Sequence, residues 1–368
     1  MKNYLEFEKE IKALEEEMES PKSPFGSEGI AEVDTNKIKV TQEEINEKLK
    51  QTYSNLNSWQ KTLVARHEDR PRANFYIKKI FNQFTLLSGD RYFGDDKSVI
   101  AGFGLLNNKS VLVIGQEKGD DLNSRIERNF GMMRPEGYRK CIRLMKLADR
   151  FQIPVICFVD TPGAYPGIGA EQRGQASAIA NSIESSMSLT VPNISVIIGE
   201  GGSGGAIALA SSNKVIMLEN SIYSVISPEG CASILWRDPS KSLQAAEAMK
   251  MTAKDLLSLG VIDEIIPEPV GGAHRNPDLI AEEIKNAIIK NLKTFENLSK
   301  EEIYDHRKSR FLKIGRDRGF SKSSSSDTTG LSYKETAFQQ FKFHFNQNKL
   351  IYIGISLVLF ASLITILY

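Results

Sequence analysis

Short apolar runs rich in β-branched residues recur from about Ser98, and helical or glycine-rich stretches separate them. The runs read SVIAGFGLL from 98, SVLVIG from 110, IPVICFVD from 153, ISVIIG from 194 and KVIMLE from 214, with a helix from Pro135 between the second and third. A strand that is apolar throughout is buried on both faces. Strands that alternate with helices are typical of a parallel sheet. The sequence therefore predicts an α/β fold built from repeated strand, turn and helix units.

Charge and cysteine content exclude several classes of function. The 368 residues carry 47 basic and 46 acidic side chains, so the chain lacks the net positive charge expected of a general nucleic-acid binder. Cys141, Cys157 and Cys231 are far apart, and the four histidines show no metal-ligand spacing. Neither a disulfide framework nor a metal site is indicated, which favours a reducing, cytoplasmic location. The acidic N-terminal segment MKNYLEFEKEIKALEEEME is unlike a secretory signal.

The N-terminal region, residues 1–85, is predicted to be a helical arm. Residues 3–19 and 41–56 have helical patterns, the second starting at Thr41 with Glu44 three residues on, and SPKSPFGSEG connects them. The arm has only a narrow apolar stripe, so we expect it to pack on a partner subunit. A main α/β domain over 86–296 follows.

The C-terminal part is predicted to be a polar linker, 297–349, followed by a membrane anchor, 350–368. SKSSSSDTTG at 321–330 is typical of a linker, and the uncharged run from Leu350 to Tyr368 is about long enough to span a bilayer. Basic residues at 307–322, Lys342 and Lys349 precede the run and would keep the rest of the chain cytoplasmic. A buried core helix is the alternative for this run.

Two glycine-rich turns follow buried strands and are candidate sites. DTPGAYPG at 160–167 has a backbone that prolines and glycines fix, although a turn without a ligand is equally consistent with it. GEGGSGGA at 199–206 leads into a helix, where consecutive N–H groups favour a bound anion or a developing oxyanion. Close packing of helix on strand also requires glycine, but seldom so many. We favour a functional role for this second turn.

The same stretch fits two familiar patterns that stay open as alternatives. Gly199, Gly201 and Gly204 match GxGxxG, with Glu219 at the end of the next strand as in a dinucleotide site, although the intervening helix is short. Gly201, Ser203 and Gly205 match GxSxG, with Asp263 and His274 downstream in the order of a serine hydrolase. A binding scaffold and a hydrolase are therefore the rival functions.

One predicted helix carries a basic face. Arg139, Arg143, Lys146 and Arg150 recur at spacings of three and four in RPEGYRKCIRLMKLADR. Such a face can meet phosphates or an acidic partner, but salt-bridged or solvated surface is the more common outcome.

Several long motifs together closely resemble one enzyme family. They cover about residues 1–295 in a fixed order: RHEDRP (66–71), GDRYFGDD (89–96), RNFGMMRPEGYRK (128–140), DTPGAYPG (160–167), GEGGSGGA (199–206), YSVISPEGCASILW (223–236) and GVIDEIIPEPVGGAHR (260–275). The chain resembles the alpha subunit of the bacterial multi-subunit acetyl-CoA carboxylase carboxyltransferase.

The resemblance implies a crotonase-like fold of stacked ββα units, here with an N-terminal helical arm and a C-terminal apolar helix. It also implies transfer of a carboxyl group from carboxybiotin on the biotin carboxyl carrier protein to acetyl-CoA. The product would be malonyl-CoA, in the first committed step of fatty acid synthesis. The expected partners are a zinc-bearing beta subunit in an α2β2 assembly, the carrier protein and biotin carboxylase, with ATP binding expected of the complex.

The resemblance assigns the site to the two glycine turns. It implies that backbone N–H groups of Gly204 and Gly205 form an oxyanion hole and that the carboxybiotin pocket is lined by Gly163, Ala164, Tyr165, Gly201, Gly202 and Ala206. No metal ligand and no side-chain base are expected in this chain. Four positions depart from the family pattern, where charged residues or histidine are more usual: Gln116, Asp120, Gly169 and Gln172.

Overall fold

The computed structural model describes residues 3–19 and 35–315. The helices of the N-terminal half are α1 (Lys9–Glu19), α2 (Thr35–Ser54), α3 (Ser58–Ala65), α4 (Ala73–Ile80), α5 (Leu122–Glu127), α6 (Pro135–Arg150), α7 (Ile168–Gln172) and α8 (Gln175–Met187). Those of the C-terminal half are α9 (Ser203–Ala210), α10 (Pro228–Trp236), α11 (Ser242–Ala248), α12 (Ala253–Ser258), α13 (Pro277–Lys293) and α14 (Lys300–Lys313). The strands are β1 (Asn82–Leu86), β2 (Val99–Leu106), β3 (Lys109–Gln116), β4 (Val155–Thr161), β5 (Asn193–Gly202), β6 (Lys214–Leu218), β7 (Ile222–Ser224) and β8 (Glu264–Ile266).

All eight of these strands join one sheet in the order β1-β2-β3-β4-β5-β6-β8, with β7 pairing to β5. The five predicted runs are strands β2 to β6, and β3 to β6 are parallel as expected. The parallel prediction is wrong for β2, which is antiparallel to β3 and to β1, a strand that was not predicted. Asn107 and Asn108 both have positive φ, 47° and 61°, and so form the tight hairpin turn that reverses the chain between β2 and β3.

The sheet is covered on both faces, as the apolar strands predict. On one face, Leu112, Ile114 and Cys157 pack with α6 residues such as Tyr138 and Leu144. On the other, Val113, Ile156 and Phe158 pack with residues of α4 and α13. Because successive side chains of a strand point to opposite faces, one continuous apolar strand supplies both cores.

The N-terminal segment packs on this same chain. Ile11 of α1 meets Ile45 and Leu49 of α2, so the narrow apolar stripe is buried within the helical pair itself. Arg275 binds the carboxylates of Glu8 and Glu15 and fixes the pair to the body. The predicted helix start at Thr41 is wrong, because α2 begins at Thr35.

The boundary of the arm also differs from the sequence-based one at residue 85. Helix α4 buries Tyr76 and Ile77 in the core of the sheet, and β1 pairs with β2, so the body already includes residues from 73 onward.

Helix α14 lies inside the stretch predicted as a linker, and it is packed rather than free. Its Arg307 is fully buried (0% exposed) and donates to the carbonyl oxygens of Met187, Leu189 and Val191 and to two asparagine side chains. The polar positions around Arg307 concealed this helix in the sequence. The rest of the linker and the apolar run 350–368 lie outside the described residues. In the ranges 3–19 and 35–315, no helix combines the length and the apolar character that crossing a bilayer requires.

Candidate active site

The two glycine turns predicted as functional lie against each other at the carboxyl ends of adjacent parallel strands. One follows β4 and the other joins β5 to α9. A Cβ atom added at Gly205 would lie 2.7 Å from the carbonyl carbon of Gly163 and 3.1 Å from the backbone nitrogen of Ala164. The backbones are therefore in direct contact, and only glycine fits at 205.

The neighbouring glycine positions explain the unusual density of glycine. A Cβ at Gly202 would lie 2.2 Å from the Pro162 carbonyl oxygen, whereas one at Gly204 would meet only the side chain of Ile179, at 3.4 Å. Gly202 and Gly205 are thus required for the approach of the two turns. Gly204 is open enough for a side chain.

Helix α9 begins abruptly, with its first-turn N–H groups beside the turn after β4. Ser203 has a positive φ of 51°, a conformation that residues other than glycine seldom adopt. No side chain caps the helix. The first N–H groups of an α-helix have no partner within the helix, so they are available to an anionic oxygen.

The other predicted pocket residues lie around this contact. Gly201 pairs with Tyr223 of β7, and Ala206 is buried in α9. Ala164 and Tyr165 are half-buried, and the Arg134 guanidinium lies 4.8 Å from the centre of the Tyr165 ring. The structure therefore brings every residue predicted for the pocket to the ends of β4 and β5.

A network of buried and half-buried charges, not predicted from the sequence, lies beside the two turns. The Lys118 ammonium lies 2.7 Å from Asp160 and 3.4 Å from Glu200, and Arg66 lies 2.6 Å from both Glu200 and Glu229. Burial acts to raise the pKa of Glu200, but Lys118 and Arg66 hold that pKa below its usual value. The available signal was an acidic residue at the end of an otherwise apolar strand, as at Asp160 and Glu200.

The serine hydrolase alternative does not have its triad. Asp263 accepts a hydrogen bond from the backbone of Val215, which pairs with Ser195 near the start of β5, whereas Ser203 follows the end of that strand. His274 stacks on His67 with ring centroids 3.9 Å apart. Asp263 therefore lies at the other end of β5 from Ser203 and His274 packs on His67, so among the described residues this triad is not assembled.

The dinucleotide alternative fails on the position of its glycines. Gly199 and Gly201 lie within β5 rather than in the turn that follows it, and α9 is only eight residues long. A dinucleotide fingerprint needs its glycines in the turn that receives the pyrophosphate.

The basic face of α6 has partners within the chain. Arg139 binds Asp90 at 2.8 Å and Glu136 at 3.0 Å, and Arg143 donates to the carbonyl oxygens of Ser88 and Gly89. These contacts favour the structural interpretation of that face.

Three of the four departures from the family pattern lie away from the contact between the turns. Asp120 is exposed beside Arg72, while Gly169 and Gln172 belong to α7. Gln116 is fully buried and bonds to Gly205. Among residues 3–19 and 35–315, no group of histidine, cysteine and acidic side chains has the arrangement of a metal site.

Comparison with known proteins identifies the family. Residues 4–315 match the model of the family described as acetyl co-enzyme A carboxylase carboxyltransferase-like. The chain is 65% identical over 350 residues to the acetyl-coenzyme A carboxylase carboxyl transferase subunit alpha of Pelagibacter ubique (strain HTCC1062), covering 95% of each chain. It is 51% identical over 319 residues to the subunit of the same name from Azorhizobium caulinodans, covering 86% of this chain and 99% of the relative.

The fold has a counterpart among solved structures. The transcarboxylase 12S core, crystallised with methylmalonyl-coenzyme A and methylmalonic acid, superposes with a TM-score of 0.51 at 18% identity. The match covers 63% of this chain and 44% of that one. It confirms the predicted crotonase-like carboxyltransferase fold. By its sequence, the chain belongs to the family of acetyl-coenzyme A carboxylase carboxyltransferase alpha subunits.

Proposed function

We propose that this chain, together with a beta subunit, transfers a carboxyl group from carboxybiotin on a carrier protein to acetyl-CoA, giving malonyl-CoA. One observation carries the proposal beyond family membership. The backbone of Gly205 lies on the Gly163–Ala164 peptide, beside the uncapped start of α9. This arrangement presents backbone N–H groups, rather than a reactive side chain, to a developing negative charge.

The site fits the electronic demand of carboxyl transfer. When the carboxyl group leaves biotin, negative charge develops on the ureido oxygen, and hydrogen-bond donors must stabilise it. The N–H groups of Gly204 and Gly205 are proposed as those donors, and Gly163, Ala164, Tyr165, Gly201, Gly202 and Ala206 as the pocket around the biotin ring. Donors held rigidly in a site of low polarity stabilise such a charge without reorganisation.

No side chain of this chain is proposed as a general base. Lys118 and Arg66 are held by Asp160, Glu200 and Glu229, so these two cations are already paired. Biotin that has lost its carboxyl group can itself accept the proton from the methyl group of acetyl-CoA.

We propose that the partner subunit covers the end of the sheet at which the glycine turns lie. Large apolar side chains are exposed on segments that follow the carboxyl ends of β3, β4 and β7: Leu122, Ile126, Ile168, Val225 and Ile234. An exposed apolar surface of this kind is typical of an interface. We assign it to the acetyl-CoA-binding beta subunit, which would carry the zinc, in an α2β2 assembly. Carrier protein and biotin carboxylase complete the set of partners, and ATP binding is expected of that complex rather than of this site.

The proposed location is the cytoplasm, on the basis of the scattered cysteines. Membrane attachment through 350–368 is a separate proposal that rests on the length and uncharged character of that run. The Pelagibacter relative aligns over 350 residues, more than the 312 spanned by the family match to 4–315, so part of the C-terminal region is shared with at least that relative.

Co-expression with the zinc-bearing subunit tests the main proposal. A stable complex that forms malonyl-CoA from acetyl-CoA and carboxylated carrier protein is expected, and neither chain alone should do so. The two rival functions give different results: labelling of Ser203 by a fluorophosphonate, or binding of a nicotinamide cofactor without carboxyl transfer. A folded complex without transfer activity would refute the proposal.

A further inference from the structure

Gln116, the last residue of β3, forms side-chain hydrogen bonds to the backbone at both glycine turns. Its side chain is fully buried (0% exposed). Its Oε1 atom accepts a hydrogen bond from the backbone N–H of Asp160 at 3.1 Å, and its Nε2 atom donates to the carbonyl oxygen of Gly205 at 2.8 Å. A backbone N–H only donates and a carbonyl only accepts, so these partners fix which end of the amide points where.

The Gln116 side-chain amide bonds to β4 just beyond the last backbone pairing between β3 and β4. Between β3 and β4 the last paired residues are Gly115 and Phe158, and Asp160 lies beyond them. On the other side of β4, the register with β5 shifts between Val159 and Thr161. Pairing with β5 resumes at Thr161 and Gly201, but the β3 side of the end of β4 has no strand pairing, and Gln116 supplies the hydrogen bond there.

Asp160 is three residues before Gly163, and Gly205 is the residue whose backbone touches the Gly163–Ala164 peptide. One planar amide thus ties the strand leading into the first turn to the first turn of α9. No ionic group takes part in either bond, so the link does not change with pH in the neutral range. A displacement of about 1 Å between groups that must act together can lower a rate about 10²-fold.

We propose that Gln116 is a positioning residue for carboxyl transfer, setting the separation of the two turns that form the oxyanion site. The inference rests on the proposed function. An alternative role as filler of the core predicts that any side chain of equal size would serve.

Gln116→Met and Gln116→Glu separate these roles in the complete complex with the beta subunit. Methionine keeps the volume but removes both hydrogen bonds, so kcat should fall at least about 10-fold with little change in the KM for acetyl-CoA. Glutamate keeps the acceptor for Asp160 and, only when protonated, a donor for Gly205. Its activity relative to the wild type should therefore recover as the pH is lowered. Asp160, Lys118 and Glu200 are present in both proteins, so the ratio to the wild-type profile isolates the new carboxyl group.

Asn291→Leu is the matched control, because Asn291 is another buried amide but lies on α13, away from the turns. It should lower the melting temperature without changing kcat. Hydrogen exchange provides a readout that needs no activity. Backbone amides of 160–166 and 203–209 should exchange faster in Gln116→Met than in the wild type.

The outcomes separate the proposed function from the positioning role of Gln116. A wild-type complex that transfers no carboxyl group refutes the proposed function, while the exchange data still decide whether Gln116 positions the turns. An active wild type with unchanged kcat in folded Gln116→Met overturns the positioning role. So does a Gln116→Glu profile that parallels the wild type, or unchanged exchange in both segments.

Discussion

Replacing Gly205 with alanine should lower carboxyl transfer about 10²-fold, which corresponds to about 2.7 kcal/mol of transition-state stabilisation. The new Cβ would lie 2.7 Å from the Gly163 carbonyl carbon, about 0.7 Å short of ordinary contact at 3.4 Å. Neither side of the contact can rotate away, because both are backbone. The two turns must therefore separate, and the oxyanion donors move with them.

The measurement is the rate of malonyl-CoA formation by the purified complex with the beta subunit, with kcat and KM determined separately. Since the donors act on charge that develops during the reaction, the loss should appear in kcat. Complex formation and the melting temperature are recorded in parallel, so that a failure to assemble is not mistaken for a catalytic loss.

Gly204→Ala is the matched variant. It keeps the backbone N–H group, and its Cβ would meet only the Ile179 side chain at 3.4 Å, so we expect a loss of less than about 10-fold, well short of that for a lost oxyanion donor. Gly94→Ala, with no atom within 4 Å of the new Cβ, should behave as the wild type. Equal kcat losses for Gly204→Ala and Gly205→Ala, or a fully active Gly205→Ala complex, would contradict the reasoning.

Three further predictions concern stability. Burial, followed by the neighbouring charge of His67, lowers the pKa of His274 to about 3. Folding therefore opposes its protonation, and stability is lost as the pH falls below the unfolded value of about 6.5. Urea titrations should show about 2 kcal/mol less stability from this residue at pH 5 than at pH 7.5, and His274→Asn should remove that slope. Arg307→Met should cost about 3–5 kcal/mol in the same titration, because it leaves buried carbonyl oxygens without donors, and a cost below 1 kcal/mol would be inconsistent with the network. The depressed pKa of Glu200 contributes stability above its unfolded value that is lost as the pH falls through the folded value. Glu200→Gln should thus be less stable than the wild type at pH 6, and the two should converge in acid; a constant difference across that range would contradict the assignment.

The central strands of the fold were predictable because their patterns are local. Each of the five apolar runs is long enough to show burial on both faces, and β2 to β6 follow them. The strands β7 and β8 were not predictable, since a strand of three residues has no periodicity to detect. Helix α14 was missed because the group that anchors it, Arg307, is the kind of residue that normally indicates exposure.

The site was predictable in its backbone and not in its charges. Consecutive glycines after a buried strand already indicate a close approach of the main chain, and the structure confirms contact at Gly205. The pairing of Arg66 with Glu200 joins residues 134 positions apart, and no spacing rule relates them. The role of Gln116 was not predictable either. It departs from the family pattern in the sequence, and only the structure shows that it bonds to Asp160 and Gly205.

The bonds made by Arg307 also set an order of events during synthesis. Asn193 leaves the ribosome 114 residues before Arg307, a delay of about 6–23 s at ordinary elongation rates. Until then, the carbonyl groups at Leu189 and Val191, at the entry to the central strand β5, have no guanidinium to bind. The entry to β5 therefore lacks these buried hydrogen-bond donors until α14 has emerged, so a nascent chain halted before residue 300 would present an unfinished β5 entry to chaperones and proteases.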